Sequence, residues 1–217
     1  NVLFDGGSTT KKNVGRYTIY SYLKHCGVRK LDYVFVSHPD KDHINGIYEL
    51  IEMRDNTFEI GTVVLPEIRR TMAVKKQVDD DMSKLEKTLK AAGINVVYAV
   101  AGDCIKSGEF SVKCMHPCDG YDYESANDYS AVYLVEYGDF SMLMTGDAEK
   151  KAEKCIVEDV NRIAGDADTS ARLVSVNILK VGHHGSKGAS SEEFLSYIKP
   201  ETALISCGAG NSYGHPH

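Results

Sequence analysis

The sequence carries no excess of positive charge. Its 25 Lys and Arg face 31 Asp and Glu, for a net charge of −6 and a pI near 5.8, so it lacks the global basic footprint of a duplex-DNA binder. Any polyanion it handles must be held by metal ions and local Lys or Arg. There is no apolar run near the roughly 18 residues a membrane span requires; the longest, Val96 to Ala101, is short. The six cysteines do not form the dense framework of a small secreted scaffold and do not fix a redox compartment. Cys114-x-His116-x-Cys118 offers three soft donors, but no second cluster completes a zinc clip, so unligated thiols are expected. No Ser-His-Asp or Cys-His arrangement for nucleophilic catalysis emerges either.

The composition, 42% hydrophobic and 26% charged over 217 residues, is that of one globular domain with a substantial core. The chain is organised around Val34-Phe35-Val36-Ser37-His38-Pro39-Asp40-Lys41-Asp42-His43-Ile44-Asn45-Gly46. An apolar strand end opens into four candidate metal ligands, His38, Asp40, Asp42 and His43. Extended backbone puts His38 and Asp40 on one side. Asp42 and His43 then sit where a helix over Ile44 to Met53 begins, with Ile44, Ile47 and Ile51 at helical spacing. A calcium loop starting at Asp40 is excluded, because Ile44, Asn45 and Ile51 fall where an EF-hand needs Asp or Asn, Gly and a bidentate Glu.

Elsewhere, strands are expected at Val2 to Phe4, Thr62 to Leu65, Ile94 to Val100, Phe110 to Met115, Ala131 to Glu136, Phe140 to Met144, Leu173 to Val181 and Thr202 to Ser206. Helices are expected over Tyr17 to Lys24 and over Lys75 to Ala92, the latter ending at Gly93. Ala148, Ala152, Cys155, Ile156 and Val160 form the stripe of another. A last helix runs to Lys199 with Ser190 as its cap and Glu193 completing a capping box. His116 to Ser130 and Asp159 to Arg172 read as loops. Asp79-Asp80-Asp81 reads as solvated surface in the first part of a helix and is left out of the site.

The His-x-Asp-x-Asp-His run resembles the His-x-His-x-Asp-His signature of the metallo-β-lactamase superfamily, with Asp40 replacing the middle His. That replacement is similar to the hydrolase domain of ComEC-family competence proteins. Further matches follow in order: Phe4-Asp5-Gly6-Gly7, Thr145-Gly146-Asp147, Lys180-Val181-Gly182-His183-His184-Gly185-Ser186 and Tyr213-Gly214-His215-Pro216.

This resemblance implies an α/β fold, the four-layer αββα sandwich, and two divalent ions, manganese or zinc with magnesium an option. The implied ligands are His38 and Asp40 toward one ion, Asp42, His43 and His184 toward the other, and Asp147 between them. It places Asp5 behind the ligands, His183 and His215 as catalytic residues with Asp42, and Lys41, Lys180, Ser186, Lys187, Asn211 and Tyr213 near substrate. Asn127 occupies the place of a further motif His, with His116 competing for it. The implied activity is hydrolysis of single-stranded DNA during uptake. The chain would be an excised part of a longer protein of the bacterial plasma membrane, attached to a channel domain and lying outside the cytoplasm. Two alternatives stand: a free-standing, cytoplasmic hydrolase of small phosphoesters or esters such as phosphorylcholine esters, and a catalytically weak DNA- or partner-binding module.

Overall fold

A computed structural model of the chain describes residues 1–55, 57–68, 76–120, 125–164, 173 and 175–217. The chain divides into two compact units, Asn1–Leu65 with Lys75–Tyr98, and Pro66–Val74 with Ala99–His217.

The first unit is built on a sheet of order β1-β2-β3-β4, with β1 at Val2–Phe4, β2 at Lys30–Phe35, β3 at Glu59–Pro66 and β4 at Asn95–Ala99. β1, β2 and β3 are parallel, with Phe4 level with Phe35 and Phe35 with Val64. Asp5 and Ser37 therefore leave the sheet at the same carboxyl end, where open parallel sheets place their ligands. A π-helical turn, Gly15–Ile19, precedes α1, Tyr20–His25; α2 is Lys41–Glu52 and α3 is Lys76–Ala91. α2 starts earlier than the expected Ile44, so Asp42 and His43 lie in its first turn. Its buried stripe is Ile44, Ile47 and Leu50, each contributing about 1.5–3 kcal/mol by burial. α3 buries Met82, Leu85 and Leu89 as its spacing predicts. β3 outruns the expected Thr62 to Leu65 because its parallel pairing continues back to Glu59 opposite Lys30.

The second unit holds a sheet of order β10-β9-β8-β7-β6-β5: β5 Cys104–Ser107, β6 Phe110–His116, β7 Val132–Tyr137, β8 Phe140–Met144, β9 Ile178–Lys180 and β10 Thr202–Leu204. β5 was not anticipated; four residues with little apolar content become a strand only through antiparallel pairing with β6. β8, β9 and β10 are parallel, with Met144 level with Lys180. Thr145-Gly146-Asp147 and Gly182-His183-His184 thus leave the same sheet end. α4, Lys150–Ala164, buries Ala152, Cys155, Ile156 and Val160 against Leu134, Leu143, Leu179 and Phe194.

Four expectations are corrected in this unit. The loop expected from Asp159 begins later, since α4 continues to Ala164; its remainder, 165–172, lies outside the described residues. The strand expected over Leu173 to Val181 shrinks to Ile178–Lys180, the only part with a ladder partner among the described residues. The last helix, α5 at Glu192–Ile198, is capped by Ser191, whose hydroxyl accepts from Phe194 N, and not by Ser190. Ser190 stands in left-handed backbone, and its N–H goes with that of Ser191 to the buried Glu153 carboxylate. Finally, the thiols are not all unligated: Cys118 and Cys155 form a disulfide. Among the described residues no helix is long and apolar enough to cross a membrane.

Candidate functional site

In the first unit the ligand loop is organised by Asp5. This residue sits in left-handed backbone, φ 52°, which a short polar side chain tolerates. Its carboxylate accepts Ser37 N–H at 2.7 Å, Ser37 Oγ–H at 2.6 Å and His43 Nδ1–H at 2.8 Å. Because the Ser37 proton is given to Asp5, Ser37 Oγ receives His38 Nδ1–H at 3.0 Å. Both imidazoles therefore hold their proton on Nδ1 and their lone pair on Nε2. This is how a metal-binding histidine is oriented by the group behind it. Burial raises the Asp5 pKa, but the electrostatic attraction and hydrogen bond of His43, together with His38 and Ser37, outweigh this and hold the carboxyl below its usual range.

Asp40 occupies the N-cap of α2 with its carbonyl accepting His43 N–H at 2.9 Å, yet its side chain makes no cap hydrogen bond. Its carboxylate lies 3.8 Å from His38 Nε2, on the same side as the spacing predicts. The His38 and His43 ring centroids are 4.1 Å apart. Gly7 makes the arrangement sterically feasible: a Cβ there would stand 2.5 Å from Asp42 O and 2.6 Å from His43 N. Asn45 ties the same turn down, accepting Ser8 N–H and donating to Ser8 O. Beside the loop lies a cavity of about 550 Å³ lined by Asp40, Lys41, Asp42, Tyr48, Asp81 and Lys84 among others. Tyr48, Asp81 and Lys84 were missed in the sequence, where Asp81 reads as plain surface charge; only the packing of α3 gives it a cavity wall.

In the second unit Asp147 follows β8, buried at 4% exposure. Its N–H goes to Ser130 Oγ, and the Lys180 ammonium, hydrogen-bonded to Gly146 O at 2.7 Å, lies 3.8 Å from its carboxylate. His183 and His184 both adopt left-handed backbone, φ 42° and 55°, a conformation costly for histidine that persists only where the surroundings impose it. His184 Nδ1–H donates to Ser206 O at 2.6 Å, so Nε2 holds the lone pair, 3.4 Å from Asp147 Oδ2. His183 Nε2 is farther from that oxygen, 4.0 Å, and its Nδ1 goes to Glu149 Oε1 at 2.9 Å. Asn127 Nδ2 donates to the same Glu149 oxygen at 3.3 Å. His116 is elsewhere: fully buried, with Nδ1–H donated to Ser130 O, it groups with Cys118 and Cys155. Glu149 was overlooked; its only signal was the second carboxylate in Asp147-Ala148-Glu149.

The C-terminal loop brings Tyr213, His215 and His183 together, with ring centroids 5.6 and 5.7 Å from His215. Asn211 shapes this loop, accepting His215 N–H and donating to His215 O. Burial and then the neighbouring His183, His217 and His184 lower the His215 pKa. Ser186 receives Gly188 N–H, while Lys41, Lys187 and Tyr213 are exposed.

The donor chemistry of each unit, imidazole Nε2 atoms beside carboxylates, fits divalent metal ions. Residues 1–94, which contain the Asp5 and His38 to His43 groups, match the family described as the metallo-beta-lactamase superfamily. Residues 1–94 belong to the metallo-β-lactamase superfamily. Across nearly its whole length the chain is similar to segments of competence proteins. It is 31% identical over 208 residues to ComE operon protein 3 of Bacillus subtilis, covering 94% of this chain and 24% of that protein. With Recombination protein 2 of Haemophilus influenzae the identity is 27% over 217 residues, 100% of this chain and 23% of the relative. The domain thus spans about a quarter of the length of these relatives. Among solved structures, the metallo-beta-lactamase fold protein YhfI from Bacillus subtilis is 16% identical with a TM-score of 0.44, over 82% of this chain and 56% of that one.

Proposed function

We propose that the domain is a dinuclear metal-dependent phosphodiesterase that cuts single-stranded DNA during DNA uptake. The observation that carries this reading is the pair of imidazoles, His38 and His43, fixed by Asp5 and Ser37 with Nε2 as acceptor, His38 lying beside Asp40 and His43 following Asp42 in the first turn of α2. The assigned ligands are His38, Asp40, Asp42 and His43 from the first unit and Asp147 and His184 from the second. Asp147 is assigned to both ions, since a carboxylate has two oxygens to share and a charge that offsets them. An Asp at position 40 makes one ion's surroundings oxygen-rich, which favours manganese or magnesium as competitors of zinc. When bound, such a pair supplies an activated water and charge stabilisation at the phosphate.

The chain's own residues do the rest. Asp5 keeps the Nδ1 protons in place, directly on His43 and through Ser37 on His38. Lys180 holds the Asp147 carboxylate, and Glu149 fixes the His183 ring. His215, stacked on the exposed Tyr213, is assigned to proton transfer at the leaving oxygen. Lys41, Lys187 and Tyr213 are assigned to phosphate and base contacts, the basic-plus-aromatic pattern of single-strand binding. The likeness to quarter-length segments of competence proteins supports attachment to a membrane channel domain. The Cys118–Cys155 disulfide supports a place outside the cytoplasm, because such bonds persist in oxidising compartments.

The roughly 550 Å³ cavity beside Asp40 and Asp42 favours, as a second reading, hydrolysis of small phosphoesters. Cleavage of a single-stranded oligonucleotide with added Mn²⁺, lost in Asp42→Ala, is the expected result. Turnover of phosphorylcholine or nitrophenyl phosphate esters without DNA cleavage supports the second reading. Metal binding with no turnover of either substrate overturns both in favour of a binding module.

A further inference from the structure

A second cluster of metal-ligating side chains lies within the core of the second unit. His116 ends β6, Cys118 follows two residues later, and Cys155 arrives from the middle of α4. All three are essentially inaccessible, at 0%, 1% and 0% exposure. One imidazole nitrogen and the two sulfur atoms lie within 4.8 Å of one another. The sequence suggested a different triplet, Cys114-x-His116-x-Cys118, but Cys114 Sγ is directed to His116 O at 3.0 Å. Cys155, 37 residues beyond Cys118, supplies the missing donor.

We propose that Cys118, Cys155 and His116 form a soft-metal site that binds one Zn²⁺ when the disulfide is reduced. Three features support it. His116 Nδ1 faces the carbonyl oxygen of Ser130 at 2.7 Å; a carbonyl only accepts, so the ring proton is on Nδ1 and the lone pair on Nε2, with the backbone orienting the ligand from behind. Thiolate and imidazole are the donors zinc prefers, and three protein ligands leave one tetrahedral position for water. Two thiolates and a neutral imidazole around Zn²⁺ also sum to zero charge, the condition under which a buried ionic group avoids a large desolvation cost.

The chemistry balances in two steps. An external dithiol reduces the disulfide by thiol–disulfide exchange, giving two cysteine thiols while the dithiol becomes a disulfide. Zn²⁺ then displaces both thiol protons, and His116 contributes its lone pair with no proton released. The same cluster thus serves as a covalent cross-link between Cys118 and Cys155 under oxidising conditions and, with His116, as a metal clasp under reducing ones. The cluster also bears on Asp147: Ser130, which accepts from His116, receives the Asp147 N–H on its hydroxyl.

The test is independent of the proposed hydrolytic centre, whose ligand set contains no cysteine. The 217-residue chain, reduced and stripped of metal, is titrated with Co²⁺ and then with Zn²⁺. The expected results are a thiolate-to-cobalt charge-transfer band in the near ultraviolet and a loss of two reactive thiols per chain once Zn²⁺ binding is saturated. The band is lost in Cys118→Ser and in Cys155→Ser, persists in Asp42→Ala and Cys114→Ser, and requires roughly 10–100-fold more metal in His116→Gln. Circular dichroism establishes that each reduced protein is folded. Absence of the band in folded, reduced chain overturns the proposal. So does a band that survives Cys118→Ser, or reduction that unfolds the protein before metal binds.

Discussion

Asp5→Asn probes the ligand loop with almost no change of shape. In the native chain Asp5 Oδ1 accepts Ser37 N–H, and Oδ2 accepts both Ser37 Oγ–H and His43 Nδ1–H. An asparagine retains the first contact through its carbonyl but places an NH₂ where Oδ2 was. Donor then faces donor. His43 is relieved by moving its proton to Nε2, and the Ser37 hydroxyl, turned to accept from Asn, now donates toward His38 Nδ1 and drives that ring to the same tautomer. One substitution so puts protons on both nitrogens assigned to metal. Losing the orienting partner of a ligand costs about 10–100-fold in affinity, or about 1.4–2.7 kcal/mol. Asp5→Ala is less clean, since each buried donor left unpaired costs a further 1–3 kcal/mol or so in fold stability. The assay is calorimetric titration of Mn²⁺ into metal-free Asp5→Asn, with urea unfolding in chelator as the control and imidazole ¹⁵N shifts reporting the tautomers. A folded Asp5→Asn protein that binds Mn²⁺ within twofold of the parent refutes the reasoning.

Gly7→Ala should destabilise the metal-free chain by about 1–3 kcal/mol, the cost of overpacking, and weaken Mn²⁺ binding, because its Cβ meets the backbone of Asp42 and His43; Gly27→Ala, where nothing lies within 4 Å of the added atom but φ is 72°, should lose about 1–2 kcal/mol to backbone strain and leave metal affinity unchanged. Urea midpoints and Mn²⁺ titrations of the two variants check this. Glu153 is buried beneath the start of α5 and its pKa is raised, by desolvation first, against the Ser190 and Ser191 hydrogen bonds. The folded state therefore holds this proton more tightly than the unfolded chain, so relative to Glu153→Gln the parent should gain stability as pH falls from 7 through that raised pKa toward 4.5. The slope of the difference cannot exceed about 1.4 kcal/mol per pH unit; a difference flat or of opposite sign in pH-dependent urea unfolding refutes it.

Much of the fold was legible because local patterning and tertiary structure agree. The apolar ends at Val34-Phe35 and Leu143-Met144 became strands, and the stripes Met82-Leu85-Leu89 and Ala152-Ile156-Val160 became buried helix faces. The candidate loop His38 to His43 stands out in the sequence for a related reason, since four potential donors within six residues after a strand need no distant partner to be noticed. Where pairing overrides propensity the reading failed: Cys104–Ser107 is a strand only because β6 lies beside it, and Ile178–Lys180 stops where its ladder does.

Residue types and their order determined by themselves that this chain offers imidazole and carboxylate donors at the ends of apolar strands, because that depends on chemistry and on the two-residue period of a strand. The tertiary structure alone decided which nitrogen of each imidazole holds its proton, that Glu149 stands behind His183, and that Cys155 rather than Cys114 joins His116 and Cys118. Each of those depends on groups 14 to 38 residues apart that meet only when sheet register and helix packing fix their positions, and no local spacing encodes that.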